Sequence, residues 1–217
     1  MIEFADTATR WFGPVSFKAA PGGMLKVVAP GKAAVEGFVR TAAGLAMPLS
    51  GRVSLFGVDI YSATEEEYLA VMEDVGVIQD SGGAVSNLRV WENVALPALY
   101  HGKMTLDQLE EETETMLKIA GISREEGERL MESYFAGLSP FHDRVFKMIR
   151  AAAVSPGVVI YEEISASLSG ESLKRAVDLA VNIHQKAPDR VSVFVSSSEA
   201  ALAPLPPAKT IHLAARE

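Results

Sequence analysis

The sequence predicts an α/β fold in which a helical subdomain is inserted between strands. Three observations carry this. Short apolar runs separated by Gly/Pro turns fill the N-terminal third. Amphipathic helical patterns fill the middle. The last third alternates strand, helix and strand at the spacing of a parallel βαβ unit. With 217 residues, 48% of them hydrophobic, the chain can bury a sizeable core. The expected division is a β subdomain plus α/β core over 1–86 and 151–217, with the helical subdomain over 87–150.

The elements follow in order. Ile2–Thr7, Val15–Ala19 and Met24–Ala29 read as strands, with turns at Gly13-Pro14 and Pro21-Gly22-Gly23. Val35, Phe38, Val39 and Ala42 recur at helical spacing, which predicts a helix over 35–45. Gly51–Ile60 reads as a strand and turn. A capping box at Ser62–Glu65 is expected to open a helix over 63–73. Val75–Ile78 is a short strand ending at Gln79. Trp91–Leu99 is helical up to Pro97. Thr105, with Gln108 three residues on, caps an amphipathic helix to Ala120, and Ser123–Glu126 is a third capping box. Helix 141–154, strand 158–161, helix 171–187 and strand 191–195 follow, and Thr210–Leu213 is a last edge strand.

Composition excludes several classes. The formal charge is −8, so the Lys/Arg footprint of a nucleic-acid binder is missing. There are no cysteines, hence no disulfide framework and no thiolate metal site. No run of about 18 uncharged apolar residues appears, so no direct membrane span is expected. Residues 1–20 carry Glu3 and Asp6 and do not read as a signal peptide. The expected location is cytoplasmic, with any membrane attachment made through a partner.

The chemistry-bearing stretch is Val158–Glu163, an apolar strand that ends in two adjacent carboxylates, Glu162 and Glu163. A buried parallel strand of this kind delivers acidic groups to the carboxyl edge of a sheet, where phosphate chemistry usually sits. Leu138-Ser139 precedes it and Leu168 follows. Upstream stand Ala43-Gly44-Leu45, Pro48 and Ser50-Gly51, then Val77-Ile78-Gln79 and Leu88–Pro97. Arg150-Ala151 and Pro156 lead into the acidic strand.

In this order and spacing the chain resembles the nucleotide-binding subunit of a bacterial ABC transporter, over roughly residues 2–213. The resemblance implies a P-loop NTPase-type core of mainly parallel sheet flanked by helices, an antiparallel β subdomain and an inserted helical subdomain. It implies ATP and Mg²⁺ as ligands. It also implies a membrane permease subunit or a competent ABC ATPase subunit as partner, a possible homodimer, and peripheral attachment to the inner membrane through the partner. By resemblance Glu163 stands at the general base that polarises the attacking water, and Glu162 at the metal-binding carboxylate. Gln79 stands at the loop that senses Mg²⁺ and faces the permease. Gly31 and Lys32 stand in the phosphate loop, and Ser139 in the signature. Trp11 or Phe12 stands near the aromatic that stacks on adenine; a turn aromatic packed on the β subdomain is the other reading.

The motifs depart from the family's pattern. A working loop reads G-x-x-x-x-G-K-[ST], with backbone N–H groups around the phosphates, Lys on the β/γ-phosphates and Ser/Thr on Mg²⁺. Counted back from Ala43-Gly44 without gaps, the loop is residues 29–36: Val35 takes the Lys position and Glu36 the hydroxyl position. Ala29, Lys32 and Ala34 take the glycine positions, so Cβ atoms stand where backbone must approach phosphate. Glu36 would bring an anion toward a polyanion, a repulsion on the order of several kcal/mol at an effective dielectric of about 20. Pro140 and Phe141 replace the signature glycines, and Pro140 has no N–H to donate. Ser169 stands at the D-loop Asp, Ile164 at the Pro after the acidic pair, and Ser196–Ser198 at the switch His. The expectation is a degenerate pseudo-ATPase with a structural or regulatory role in a transport complex, in which Glu163 is a vestigial base or a solvated carboxylate. Two alternatives stand beside it. One is an active ATPase in which Lys32 takes the cation role and Glu162/Glu163 the metal and base roles. The other is a soluble ligand- or protein-binding module on the same fold.

Overall fold

The structure, a computed structural model, describes residues 1–216. It divides into two compact units. The first contains residues 1–77, 156–164 and those from 187 onward; the second contains 78–155 and 165–186.

The first unit carries two sheets. Strands β1 (Ile2–Ala8), β2 (Val15–Ala19), β4 (Ser50–Leu55) and β5 (Val58–Asp59) form an antiparallel sheet in the order β2-β1-β4-β5. Phe4 lies opposite Phe17 on one side and Val53 on the other. Register shifts on both sides of β1 beyond Phe4 and Ala5, where Asp6 has φ 49. Gly51 (φ 75) crosses that irregularity so closely that a Cβ would lie 2.2 Å from the Asp6 carbonyl oxygen. The second sheet has the order β6-β7-β8-β3-β9, with β3 (Met24–Val28), β6 (Val75–Ile78), β7 (Val158–Glu162), β8 (Val191–Ser196) and β9 (Lys209–His212). The β7–β8, β8–β3 and β3–β9 pairings are parallel. Both βαβ parallelism and the edge position of β9 therefore follow the sequence expectation. The carboxyl ends of β7, β8 and β3 lie side by side, and the Ala29 N–H donates to the Ser196 carbonyl at 2.9 Å.

Helix α1 (Lys32–Ala42) follows β3, and α2 (Glu65–Met72) precedes β6. The core joins one face of the antiparallel sheet to α1: Phe4 stacks on Phe17 at 4.8 Å and on Phe38 at 5.0 Å between ring centroids. Burial of each such ring is worth about 1.5–3 kcal/mol. The cap of α2 differs from expectation. Thr64 accepts from the Glu67 N–H and Glu67 accepts from the Thr64 N–H, so the box sits two residues later than Ser62–Glu65. Both frames satisfy the sequence pattern; the one used places three acidic residues in the first turn.

The second unit is helical: α3 (Val90–His101), α4 (Leu106–Ile119), α5 (Arg124–Met131), α6 (Pro140–Ala152) and α7 (Gly170–Gln185). Thr105 and Gln108 form the expected reciprocal cap of α4, and the Ser123 hydroxyl accepts from the Glu126 N–H. Helix α3 runs through Pro97 instead of stopping there. Its start is anchored by fully buried Asn93, whose amide donates to the carbonyls of Val85, Leu88 and Arg89 and accepts from the Val85 N–H. Among the described residues no helix is long and apolar enough to cross a membrane.

Candidate functional site

At the carboxyl edge of the parallel sheet only Ala29, Pro30 and Gly31 separate β3 from α1. The helix begins at Lys32, three residues before its apolar periodicity does. The reason is local: Gly31 caps it in extended backbone, and its carbonyl accepts from the N–H groups of Ala34 and Val35, both at 3.0 Å. Residues 32–36 are therefore helix, and two N–H groups of the segment are spent on the helix itself. The Val35 side chain is 1% exposed and packs in the core with Phe38 and Ile160. Glu36 points to solvent and pairs with Arg40 at 3.7 Å. Lys32 is exposed, and Gly31 has open space where a Cβ would stand. The aromatic side chains are engaged by the fold. Trp11 lies against Gly37, where a Cβ would come within 2.4 Å of its ring, and the Arg10 guanidinium carbon is 4.2 Å from the ring centroid. Phe12 is fully buried against Phe38.

The acidic pair ends β7. Glu162 lies opposite Val195 in the β7–β8 register. Glu163 turns into left-handed backbone (φ 45), and its N–H donates to the Val195 carbonyl at 2.9 Å. Its carboxylate is cradled by the end of β8. The Ser196 hydroxyl donates to one oxygen at 2.6 Å, and the Ser197 hydroxyl and N–H donate to the other at 2.7 and 2.8 Å. Ser196 Oγ also accepts from the Ser198 N–H at 3.1 Å. Three of the roughly four lone-pair sites of the carboxylate are thus taken. Hydrogen bonds to a charged group contribute about 1.5–3 kcal/mol each, which offsets the cost of φ > 0 at a non-glycine residue, about 1–3 kcal/mol. The neighbouring Tyr161 is fully buried, stacked on Phe194 at 4.5 Å, and burial pushes its phenol pKa up. Behind it Arg190 donates to the Pro156 carbonyl at 2.8 Å.

The remaining candidates, Gln79 and Ser139, lie in the helical unit. Gln79 opens a turn in which its Oε1 lies over Gly83, 3.0 Å from where a Cβ would be. Its carbonyl accepts from the Lys147 ammonium. Ser139 caps α6: its hydroxyl accepts from the His142 N–H at 3.3 Å and lies 3.0 Å from His142 Nδ1. His142 Nε2 is 3.4 Å from Glu126. Pro140 is the first helical residue, where a missing N–H costs nothing. Sequence reasoning missed two features. One is the partnership of Glu163 with Ser196 and Ser197, signalled only by their place at the end of the adjacent strand. The other is a set of buried cations on α6. Among the described residues no group of three or more His, Cys, Asp or Glu side chains is arranged to hold a metal.

The geometry defines the class. The chain has the fold of the ABC ATPase cassette, with an α/β core, an antiparallel sheet and a helical unit, as the motifs implied. Solved structures agree: a dimeric post-hydrolysis state of the ATP-binding cassette MJ0796 bound to ADP and Pi superposes with a TM-score of 0.82, covering 99% of this chain and 94% of that one at 15% identity. CbiO1 from Clostridium perfringens, part of the transporter complex cbiONQ, superposes at 0.76 with 14% identity, covering 98% of this chain and 84% of that one. At such identities these similarities speak for fold alone. In sequence, the chain is similar to the methionine import ATP-binding protein MetN of Cupriavidus metallidurans, 26% identical over 195 residues, 86% of this chain and 55% of that protein. MetN of Vibrio vulnificus is 25% identical over 172 residues, covering 79% and 48%. The chain spans about half the length of these relatives. No family model matches it.

Proposed function

We propose that the chain is an ABC ATP-binding-subunit-like protein that has lost hydrolysis and acts as a structural or regulatory component of a membrane transport complex, in contact with a permease subunit, a competent ATPase subunit, or both. The observation that carries the reading is Val35. At the position of the phosphate-binding lysine stands an aliphatic side chain turned into the core, on a helix that has absorbed the residues of the loop. A cation cannot reach a phosphate from there, and Glu36 repels one. The residues present do not fit Mg-ATP, so no hydrolytic step is assigned to Glu162 or Glu163. The cradle around Glu163 supports the same reading, because a general base needs a lone pair directed at a water. The relatives' printed role in methionine import makes an importer the first complex to test. Titration calorimetry with Mg-ATP is expected to give no binding in the micromolar range. A micromolar Kd, or phosphate release that disappears in Glu163→Gln, would overturn the proposal.

A further inference from the structure

Helix α6 carries three cationic side chains three residues apart, hence along one side of the helix, and all three turn onto the segment that follows β6. Arg144, 3% exposed, donates to Asp80 Oδ1 at 2.7 Å. Lys147, 7% exposed, pairs with Asp143 at 2.8 Å and donates to the carbonyls of Gln79 and Asp80, each at 3.3 Å. Arg150 donates to the Gly83 carbonyl. Lysine and arginine are almost never as buried as Arg144 and Lys147 unless they are paired. Here the partners are visible: three points of one turn, residues 79, 80 and 83, are gripped by positive charge supplied by the protein itself. Carbonyl and carboxylate oxygens converging on an ammonium reproduce the donor chemistry with which a loop is ordinarily ordered around a bound cation.

We infer that Arg144, Lys147 and Arg150 form an internal cation clamp that holds residues 79–83 in one conformation without any bound ion or nucleotide. The turn carrying Gln79 is then a fixed surface element and not a ligand-dependent one. The clamp itself stands on the geometry of the helical unit; its consequence, a partner-facing turn insensitive to Mg-ATP, rests on the functional reading above.

Hydrogen–deuterium exchange on the full chain tests it. In the wild type, amides 79–83 are expected to be protected, with no change on adding millimolar Mg-ATP. Lys147→Met is expected to speed their exchange at least about tenfold, leaving α4 and α7 unchanged, and Lys147→Arg is expected to restore part of the protection. Should Lys147→Met fail to fold, Asp80→Ala removes the acceptor of Arg144 at a more exposed position and is expected to loosen the same amides. Equal exchange in wild type and either folded variant would overturn the clamp, as would protection that appears only with Mg²⁺ or Mg-ATP. Binding of Mg-ATP with unchanged exchange at 79–83 would sink the functional reading and leave the clamp standing.

Discussion

Glu163, which the resemblance set at the general base, accepts hydrogen bonds from Ser196 and Ser197 on both carboxylate oxygens and fastens the end of β7 to the end of β8. The sequence suggested a vestigial base or a solvated carboxylate, and the structure gives the carboxylate a holding role in the fold. Glu163→Gln keeps the shape, removes the charge and turns an amide toward serine donors. The expected cost is about 1.5–3 kcal/mol of stability, read from the midpoint of urea unfolding. An unchanged midpoint would return the carboxylate to a solvated role. Ser196 and Ser197 were legible only as a substitution at the switch position, because the residue they hold is 33 and 34 positions away in sequence.

At the scale of elements, α1 begins before its apolar pattern does. Its buried side runs from Ala34 and Val35 through Phe38 and Val39. The periodicity beginning at Val35 predicted the helix, but its first three residues were missed. Lys32, Ala33 and Ala34 become helical because the Gly31 carbonyl collects the first bonds, a backbone event that side-chain patterning does not record. Val35→Lys, which puts a lysine where the count without gaps sets the family's, is expected to bury an ammonium in the core. Stability should fall on the order of several kcal/mol, with no gain in Mg-ATP affinity by calorimetry. A stable Val35→Lys variant that binds nucleotide would mean that α1 unwinds readily into a phosphate loop. Pro97 is a second lesson. A proline usually ends a helix, yet α3 continues past it to His101, closed by Gly102 at φ 61.

At the scale of the molecule, a half-buried phenol, Tyr61, and a fully buried one, Tyr161, set an alkaline limit. Burial, the largest cause, pushes Tyr61 from its ordinary 10 up to about 12, and its hydroxyl engages the carbonyls of Thr41 and Ala46. Tyr161 is pushed up by burial as well. The folded chain therefore keeps protons that the unfolded chain releases above pH 10. Stability from these groups is full below that value and is lost as pH rises through about 12. Unfolding midpoints measured from pH 8 to 12 should fall in that window, and the double variant Tyr61→Phe/Tyr161→Phe should flatten the fall. An undiminished fall in the double variant would place the limit elsewhere.

The sequence by itself determined the elements, their order and the class of fold. Periodicity, caps and turn residues are short-range signals, and a parallel strand buried on both faces announces itself as an apolar run such as Val158–Tyr161. It also set the expectation, by a count without gaps, that Val35 and Glu36 stand at the family's lysine and hydroxyl positions, since those are statements about single positions. Only the tertiary structure decided what surrounds these residues. Whether Glu163 faces water or serines depends on the end of a neighbouring strand, whether Val35 sits in a loop or a core depends on where α1 begins, and whether the turn after Gln79 is free depends on charges more than sixty residues downstream. Such contacts are set by packing between distant segments, and no local pattern encodes them.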